Sequence, residues 1–300
     1  MHTAAALKRQ VRLELRTGQL HGPELQDGRA SEHEPVFPSV LPAGSLRMAD
    51  LGYWSLDDLA ALAAQHSYWL SYVQVATAVY DQAGQRQDVL ALLEAQGSTR
   101  VDVPIHLGAR HHLPARLMAE QVPQEAADQR RRRLRAEARR KGTAVSAARL
   151  ALVGWTILVT NVPEEMLSVR EGRVLVRTRW QIELLFKLWK RHGRVDAVRS
   201  RKPWRVRCEV YAKLLAMVVQ HWLLLVSCWA YPDRSLPKAA QTVRKHALHL
   251  ASTLSEFGQL CRAMTTIHRC LAAGCRMTRR KKHPNTYQLL LDVPLDGALA

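Results

Sequence analysis

The 300-residue sequence predicts an α/β fold in which helices flank a mixed sheet and a helical region follows towards the C-terminus. Three observations predict this fold. Residues 45–75 read in the order short strand, Asp-containing turn, helix and strand. Residues 76–162 contain short alternating runs broken by Gly and Pro, which predict an inserted β-rich part. The amphipathic and apolar segments after residue 177 are long enough for helices.

Composition restricts the class of partner. The formal net charge is +18 and the sequence pI is about 10.3, which favours nucleic acid as a polyanionic partner. The five cysteines contain no C-x-x-C pair, so we expect reduced thiols and a cytoplasmic location rather than a zinc site. The first residues contain no long apolar run, so we expect no signal peptide.

The N-terminal part predicts a hairpin followed by a strand that ends in a carboxylate. Residues 7–25 alternate around a Thr-Gly turn and predict two paired strands. Residues 27–38 are rich in Gly, Ser, Pro and charge, which predicts a loop. Residues 45–49 predict a short strand that leads to Asp50, and Ser55 is a good first residue for the next helix.

The middle of the chain predicts further strands around a basic helix. Residues 67–75 are rich in β-branched and aromatic side chains and predict a central strand. Residues 124–141 predict a helix crowded with arginine. Residues 150–162 predict a returning strand, which Pro163 ends.

The segment 177–191 predicts one amphipathic helix. Its apolar stripe would contain Ile182, Leu185, Phe186 and Trp189. Helical spacing places four charged side chains on the opposite face: Arg179, Glu183, Lys187 and Lys190. Ordinary surface ion pairs would explain that face, at about 0.3–0.5 kcal/mol each. A carboxylate metal ligand flanked by phosphate-binding cations is the alternative explanation.

Two sequence motifs resemble those of the IS4-family DDE transposases, the family with Tn5-like members. That family's pattern is Tyr, two residues, Arg, three residues, Glu, six residues and Lys. The sequence R-W-Q-I-E-L-L-F-K-L-W-K resembles it through Arg179, Glu183 and Lys190, whereas the Tyr position holds Val176. The sequence A-D-L-G-Y-W-S, which contains Asp50, resembles the family segment with the second catalytic Asp. Taken alone, Asp50 could also be an ordinary residue of a strand-to-helix turn.

The resemblance implies an RNase H-like core and phosphoryl transfer assisted by two divalent ions, Mg²⁺ or Mn²⁺. It implies that Asp50 and Glu183 are metal ligands, and that Arg179, Lys190 and Lys187 bind phosphates. The expected divisions are residues 1–75 as the first part of the core, 76–162 as the β-rich insertion, and 163–300 as the second part of the core with the helical C-terminal region.

Further residues are candidates for DNA contact. The resemblance implies that Trp155 stacks on a flipped base, although a half-buried strand tryptophan is an equal alternative. The basic stretch 191–207 contains Arg199, Arg201, Lys202 and Arg205, which would contact phosphates unless they belong to a solvated loop. The implied partners are transposon ends and target DNA, and the implied assembly is a homodimer in a synaptic complex.

No membrane partner is expected. The apolar run 214–229 is interrupted by Gln220 and His221 and is shorter than the roughly 20 residues that span a bilayer. We therefore predict a buried core helix there.

The first carboxylate of the family pattern is not found among these residues. The family places it in an Asp-Ser-Thr-like sequence, which the 300 residues do not contain. We therefore expect a chain that lacks the first Asp and the family's N-terminal DNA-binding domain, with impaired catalysis. The alternatives are an active transposase, a non-catalytic DNA-binding remnant that inhibits a complete enzyme, and a basic structural protein of a nucleoprotein particle.

Overall fold

The computed structural model describes residues 7–27, 37, 40–74, 76–200, 202–229, 231, 233–279 and 284–292. The chain divides into two compact units. The helical unit combines Met1–Ala30 with Trp180–Asp292, and the sheet unit contains Ser31–Arg179. Most of the predicted loop at 27–38 lies outside the described residues.

The helical unit begins with the hairpin that the sequence predicts. Strands β1 (Leu7–Leu13) and β2 (Leu20–Asp27) pair in antiparallel register, so this prediction is confirmed. The chain reverses through Gly18, whose φ of +76° is a conformation that glycine adopts without steric cost.

The sheet unit contains a seven-stranded mixed sheet, which confirms the predicted fold class. Its strands in chain order are β3 (Leu46–Met48), β4 (Tyr68–Tyr72), β5 (Val79–Tyr80), β6 (Arg86–Gln87), β7 (Arg100–Leu107), β8 (Leu113–Gln121) and β9 (Trp155–Thr160). Their spatial order is β3-β4-β9-β8-β7-β5-β6. Among the strand pairs of this sheet in the described residues, β3 and β4 are parallel and the others are antiparallel. The strands of the predicted insertion therefore continue the sheet that contains β3 and β4, and the three-part division of the chain remains a prediction.

The described residues of the sheet unit include the helices α1 (Leu56–Ala64), α2 (Val89–Ala95), α3 (Gln124–Arg140), α4 (Ala147–Leu152) and α5 (Val169–Thr178). Helix α1 begins after Ser55 as predicted, because the Ser55 side chain accepts a hydrogen bond from the backbone N–H of Asp58. The predicted strand at 150–162 is wrong in its first residues. Ser146 caps α4 instead, and the strand begins only after Gly154.

Alternating residues of the sheet build two apolar clusters. Trp69 and Val159 pack in the cluster that contains Leu59 of α1. The neighbouring residues Leu70 and Leu158 pack in the cluster that contains α5. Successive side chains of a strand point to opposite faces, so a helix covers each face of the sheet.

The rest of the helical unit consists of α6 (Trp180–Gly193), α7 (Pro203–Leu224), α8 (Leu236–Ser252), α9 (Phe257–Ala273) and α10 (Thr286–Asp292). A π-helical turn, Leu225–Trp229, extends α7. The core of the helical unit contains Leu188, Leu224, Ala240 and Ile267, which pack α6, α7, α8 and α9 together.

The prediction that 214–229 is a buried helix is wrong for one of its faces. Leu215 and Trp222 are exposed, whereas Leu214 and Leu224 are buried. The continuous segment Pro203–Trp229 is long and apolar enough to cross a membrane, but 44% of its most apolar window is buried inside the chain, and one such helix is weak evidence of a span.

Candidate active site

Asp50 lies at the end of β3, in the sheet unit. Its Oδ1 accepts a hydrogen bond of 2.8 Å from the backbone N–H of Leu51, which begins a short 3₁₀ helix, Leu51–Tyr53. The Asp50 side chain is 60% exposed. One carboxylate oxygen is therefore fixed by the backbone, while the group as a whole stays accessible to a cation.

Arg179 is the second candidate residue in the sheet unit, and it lies beside Asp50. Its Nη1 is 3.6 Å from Asp50 Oδ2, and its side chain is largely buried. The structure thus brings together two residues that are 129 positions apart in the sequence. A guanidinium beside an accessible carboxylate can balance its charge or hold a phosphate oxygen.

The prediction of one helix over residues 177–191 is wrong at Arg179. Helix α5 ends at Thr178 and α6 begins at Trp180. The Thr178 hydroxyl donates a 2.6 Å hydrogen bond to the carbonyl of Leu175, and such a local bond competes with continuation of the helix. Arg179 is the residue between the two helices, with a backbone φ of −50° and ψ of −30°.

Helix α6 carries the other three predicted residues, in the helical unit. Glu183, Lys187 and Lys190 follow the spacing i, i+4 and i+7, so they share one face. Both lysines are exposed, and Glu183 is half-buried. The Lys187 ammonium lies 3.8 Å from the ring centroid of Trp180.

The opposite face of α6 packs as predicted. Leu185 and Trp189 are buried, and Phe186 meets Trp189 edge-on with 5.8 Å between ring centroids. Leu188 is buried as well and widens the predicted stripe. Because this apolar face is buried, the face of α6 that contains Lys187 and Lys190 is left exposed.

Trp155 lies in the core of the sheet unit. The side chain is buried within the cluster that contains Trp54 and Leu59. A base could stack on the indole only after the ring leaves this cluster. Its role in base flipping remains a prediction.

The predicted basic loop at 191–207 is partly helical, because α6 continues to Gly193 and α7 begins at Pro203. The described cations are exposed. The Arg205 guanidinium lies 5.0 Å from the Trp204 ring, and Lys202 directly precedes α7. The backbone N–H of Arg199 donates to Glu209, so the Arg199 side chain is not used by that bond. Arg201 lies outside the described residues.

Helix α3 divides its arginines into two groups that the sequence analysis did not separate. Arg130 donates to the carbonyl of Trp155, and Arg131 pairs with Asp128 and donates to the carbonyl of Leu150. These two arginines hold the helix to the rest of the unit. Arg130 is nonetheless exposed, and so is the second group: Arg132, Arg133, Arg135, Arg139 and Arg140. The spacing of the buried Ala127 and Ala138 is the sequence signal that separates the groups.

Carboxylate oxygens are the ligands that Mg²⁺ and Mn²⁺ prefer. Asp50 fits such a cation because its carboxylate is exposed. Its backbone hydrogen bond uses Oδ1, so Oδ2 is not engaged by that bond. Glu183 offers the same donor chemistry on α6. Within the described ranges, no group of three or more His, Cys, Asp and Glu residues is arranged to hold a metal ion.

Comparisons with known proteins point in one direction. A family model described as "Transposase DDE domain" matches residues 3–219. The transposase for insertion sequence element IS231F of Bacillus thuringiensis subsp. israelensis is 24% identical over 315 residues, which covers 95% of this chain and 65% of the relative. The putative transposase InsL for insertion sequence element IS186A of Escherichia coli (strain K12) is 33% identical over 202 residues, with 64% and 54% covered.

A third relative is the transposase for insertion sequence element IS1151 of Clostridium perfringens, which is 24% identical over 243 residues. That match covers 74% of this chain and 51% of the relative. The chain therefore spans less than two thirds of the length of these relatives. No solved structure matches the chain.

Proposed function

Because the chain belongs to the transposase DDE domain family, we propose that it acts on DNA as the transposase of an IS4-type insertion sequence. The observation that carries the proposal is the pair formed by Asp50 and Arg179, 3.6 Å apart. It joins two sequence motifs that the family resemblance identifies separately. The proposed substrates are transposon ends and target DNA, in the bacterial cytoplasm.

The proposed reaction is in-line displacement at a DNA phosphate. The oxygen of a water molecule forms a bond to phosphorus while the bond to the 3′ oxygen breaks, which leaves a 3′-hydroxyl and a 5′-phosphate. In the second step, that 3′-hydroxyl attacks another phosphate and the leaving oxygen accepts a proton. Both steps exchange one P–O bond for another and need no oxidant.

The chain's own residues would have distinct tasks. Asp50 and Glu183 would hold Mg²⁺ or Mn²⁺, which when bound activates the attacking oxygen and stabilises the leaving oxygen. Arg179 and Lys190 would bind the non-bridging oxygens of the phosphate, with Lys187 beside them. A base that leaves the duplex would stack on Trp155.

Two groups of cations would bind DNA phosphates outside the reacting one. Arg199, Arg201, Lys202 and Arg205 form the first candidate group. The outward arginines of α3 form the second. Their contacts with phosphates would give affinity that falls steeply with salt, because bound counterions are released.

These 300 residues on their own should cleave DNA poorly. They contain no Asp-Ser-Thr sequence to supply a third carboxylate. Mg²⁺ demands near-octahedral ligation, so two carboxylates would hold a second ion weakly. A non-catalytic DNA-binding protein that inhibits a complete transposase is the alternative that the same observation favours.

The experiment compares this chain with a version extended upstream through an Asp-bearing strand, on DNA that carries the element's ends and with Mg²⁺. We expect the extended version to cleave at least about 100-fold faster, a difference of about 2.7 kcal/mol in the barrier. Glu183→Ala should abolish its cleavage, and Glu165→Ala, at an exposed carboxylate outside the proposed site, should not.

Two other results would change the assignment. Equal cleavage by both versions, abolished by Glu183→Ala, would mean that the 300 residues already contain a third carboxylate ligand. Salt-sensitive DNA binding without cleavage by either version would favour the non-catalytic alternative.

A further inference from the structure

One face of α7 and the π-helical turn is apolar and exposed to solvent. Six side chains form this face, which we call the α7 stripe, with exposed fractions from 39% to 74%: Trp204, Tyr211, Leu215, Val219, Trp222 and Val226. The exposed Cys208 lies among them. None of these seven positions carries a charge.

Helix geometry makes the α7 stripe continuous. At 3.6 residues per turn, its members fall within an arc of less than about 100°. From Trp204 to Val226 it extends for roughly 33 Å at 1.5 Å per residue. The other side of the same helix is already occupied, because Leu214 and Met217 pack against α6 and Leu224 packs in the core with α8 and α9.

The α7 stripe is larger than the apolar surface that a monomer normally leaves in water. Its three aromatic side chains have about 150–250 Å² each and are about 60% exposed. Together with the exposed parts of Leu215, Val219 and Val226, the apolar area of the stripe is roughly 700 Å². The largest patch on a typical monomeric protein measures about 300–600 Å² and is often a binding surface. Contact with water on this scale favours association with another apolar surface.

We propose that the α7 stripe is covered by the α7 stripe of a second copy of this chain, packed antiparallel about a two-fold axis near Leu215. Two copies would bury roughly 1,400 Å², which is within the usual size of a specific, stable interface. Leu215 lies midway between Trp204 and Val226, so a two-fold axis there places Leu215 against itself. Trp204 then lies opposite Val226 of the other copy.

Charge decides the orientation of the two helices. Exposed cations Lys202, Arg205 and Arg207 surround the N-terminal end of α7, and each copy has a net charge of +18. A parallel arrangement would place these cations side by side, which like-charge repulsion disfavours. The antiparallel arrangement separates them by roughly the length of the stripe.

This association needs neither DNA nor a metal ion. It is therefore distinct from an assembly built on DNA ends, and it can fail or succeed independently of the proposed function. A lipid surface is a poorer partner, because one side of the segment is already packed within the chain.

The first test is the mass of the full chain in solution, measured by light scattering without DNA and in about 0.5 M salt to weaken residual nucleic-acid contacts. We expect twice the chain mass of 33.9 kDa. Leu215→Glu should weaken association by about a hundredfold or more, because each copy would bury an unpaired carboxylate. Leu248→Glu is the matched control on α8, where the leucine is 84% exposed outside the stripe, and it should leave the dimer intact.

The second test measures orientation by oxidative cross-linking in a background with Cys261→Ser and Cys270→Ser. Leu215→Cys should form a disulfide between copies. Native Cys208 should not, because antiparallel packing separates the two Cys208 residues by roughly 21 Å along the axis. Cross-linking through Cys208 but not at position 215 would overturn the antiparallel arrangement.

Three results would overturn the interface itself. One is a monomeric wild type at tens of micromolar concentration. Another is a Leu215→Glu variant that remains dimeric although circular dichroism shows it folded. The third is a monomer that floats with phosphatidylcholine–phosphatidylglycerol vesicles unless Leu215→Glu is present, which would assign the stripe to lipid.

Discussion

The Arg179 guanidinium lies 3.6 Å from the Asp50 carboxylate, and Arg179 is the residue directly before the helix that contains Glu183. A divalent cation bound at Asp50 Oδ2 would compete with this ion pair. Under the proposed function, metal affinity and phosphate binding would therefore depend on the same two residues, in directions that can be measured separately.

Metal titrations of the full chain should show opposite effects for the two partners. Asp50→Asn should weaken Mn²⁺ binding about tenfold or more, because it removes an anionic ligand. Arg179→Ala should strengthen it by a factor of up to about five, since exposed ion pairs contribute up to about 1 kcal/mol. Electron paramagnetic resonance of free Mn²⁺ measures both, with Glu165→Gln as a control for general loss of negative charge. Equal affinities for all variants would remove Asp50 from the metal site.

Helix α3 should contribute to the salt dependence of DNA affinity through its outward arginines. The double variant Arg132→Gln/Arg139→Gln should lower the slope of log K against log salt by about 1.8, because each phosphate contact contributes about 0.9. Fluorescence anisotropy with duplex DNA between about 50 and 200 mM salt measures the slope. The control Arg86→Gln/Arg110→Gln removes two other exposed arginines of the sheet unit and should leave it unchanged.

Arg130→Gln tests the structural group of the same helix. Its guanidinium donates to the carbonyls of Val153 and Trp155 and to the Thr156 hydroxyl. We expect a lower melting temperature and a decrease of about 1–2 kcal/mol in the free energy of unfolding, because hydrogen bonds from a charged donor are lost. A salt slope that falls while stability is unchanged would instead place Arg130 on the DNA.

Gly18→Ala should destabilise the hairpin of the helical unit. The alanine backbone would have to keep a φ of +76°, and its methyl group would clash with the side chains of Leu225 and Trp229. We expect a loss of about 2–5 kcal/mol, from about 1–2 for the left-handed backbone and about 1–3 for overpacking. Urea unfolding followed by tryptophan fluorescence measures this loss.

Gly84→Ala is the control for the backbone contribution alone. Gly84 has a φ of +79° and nothing within 4 Å of the added methyl. It should lose only the backbone part, about 1–2 kcal/mol. Equal losses for the two glycines would mean that the helical unit absorbs the clash without cost.

His221 should make the helical unit less stable in mild acid. Its Nε2–H donates to the carbonyl of Gly18 at 2.7 Å, and burial lowers the pKa of His221 below its ordinary value of 6.5 although the hydrogen bond opposes this. Above that value both the folded and unfolded chains hold a neutral ring. As pH falls through it, the unfolded chain binds a proton that the folded chain resists, so the free energy of unfolding decreases.

The measurement is the free energy of unfolding in urea between about pH 8 and pH 5, which brackets the ordinary histidine range. His221→Gln should flatten the decrease. His249→Gln, at an exposed position on α8, should leave it unchanged. A wild-type curve that is flat or rises towards pH 5 would contradict a buried neutral His221.

Local sequence patterns were sufficient to predict the elements that depend on interactions between residues close together in the chain. The hairpin, α1 behind its Ser55 cap, and α3 depend on turn chemistry, capping and periodicity within a few residues. The motifs around Asp50 and Glu183 were also visible in sequence, because each consists of residues that lie close together in the chain. Those motifs led to the family that the comparisons support.

Tertiary structure decided the properties that depend on which groups meet. Arg179 is close to Glu183 in the chain, and the fold also brings it within 3.6 Å of Asp50, 129 residues earlier. Arg130 and Arg132 look equivalent in sequence and both are exposed, yet the fold places the Arg130 guanidinium within hydrogen-bonding distance of β9. The apolar residues of α7 alternate between core and solvent because other helices cover only one of its sides. Composition alone records that these side chains are apolar, whereas packing determines which of them remain available to a partner.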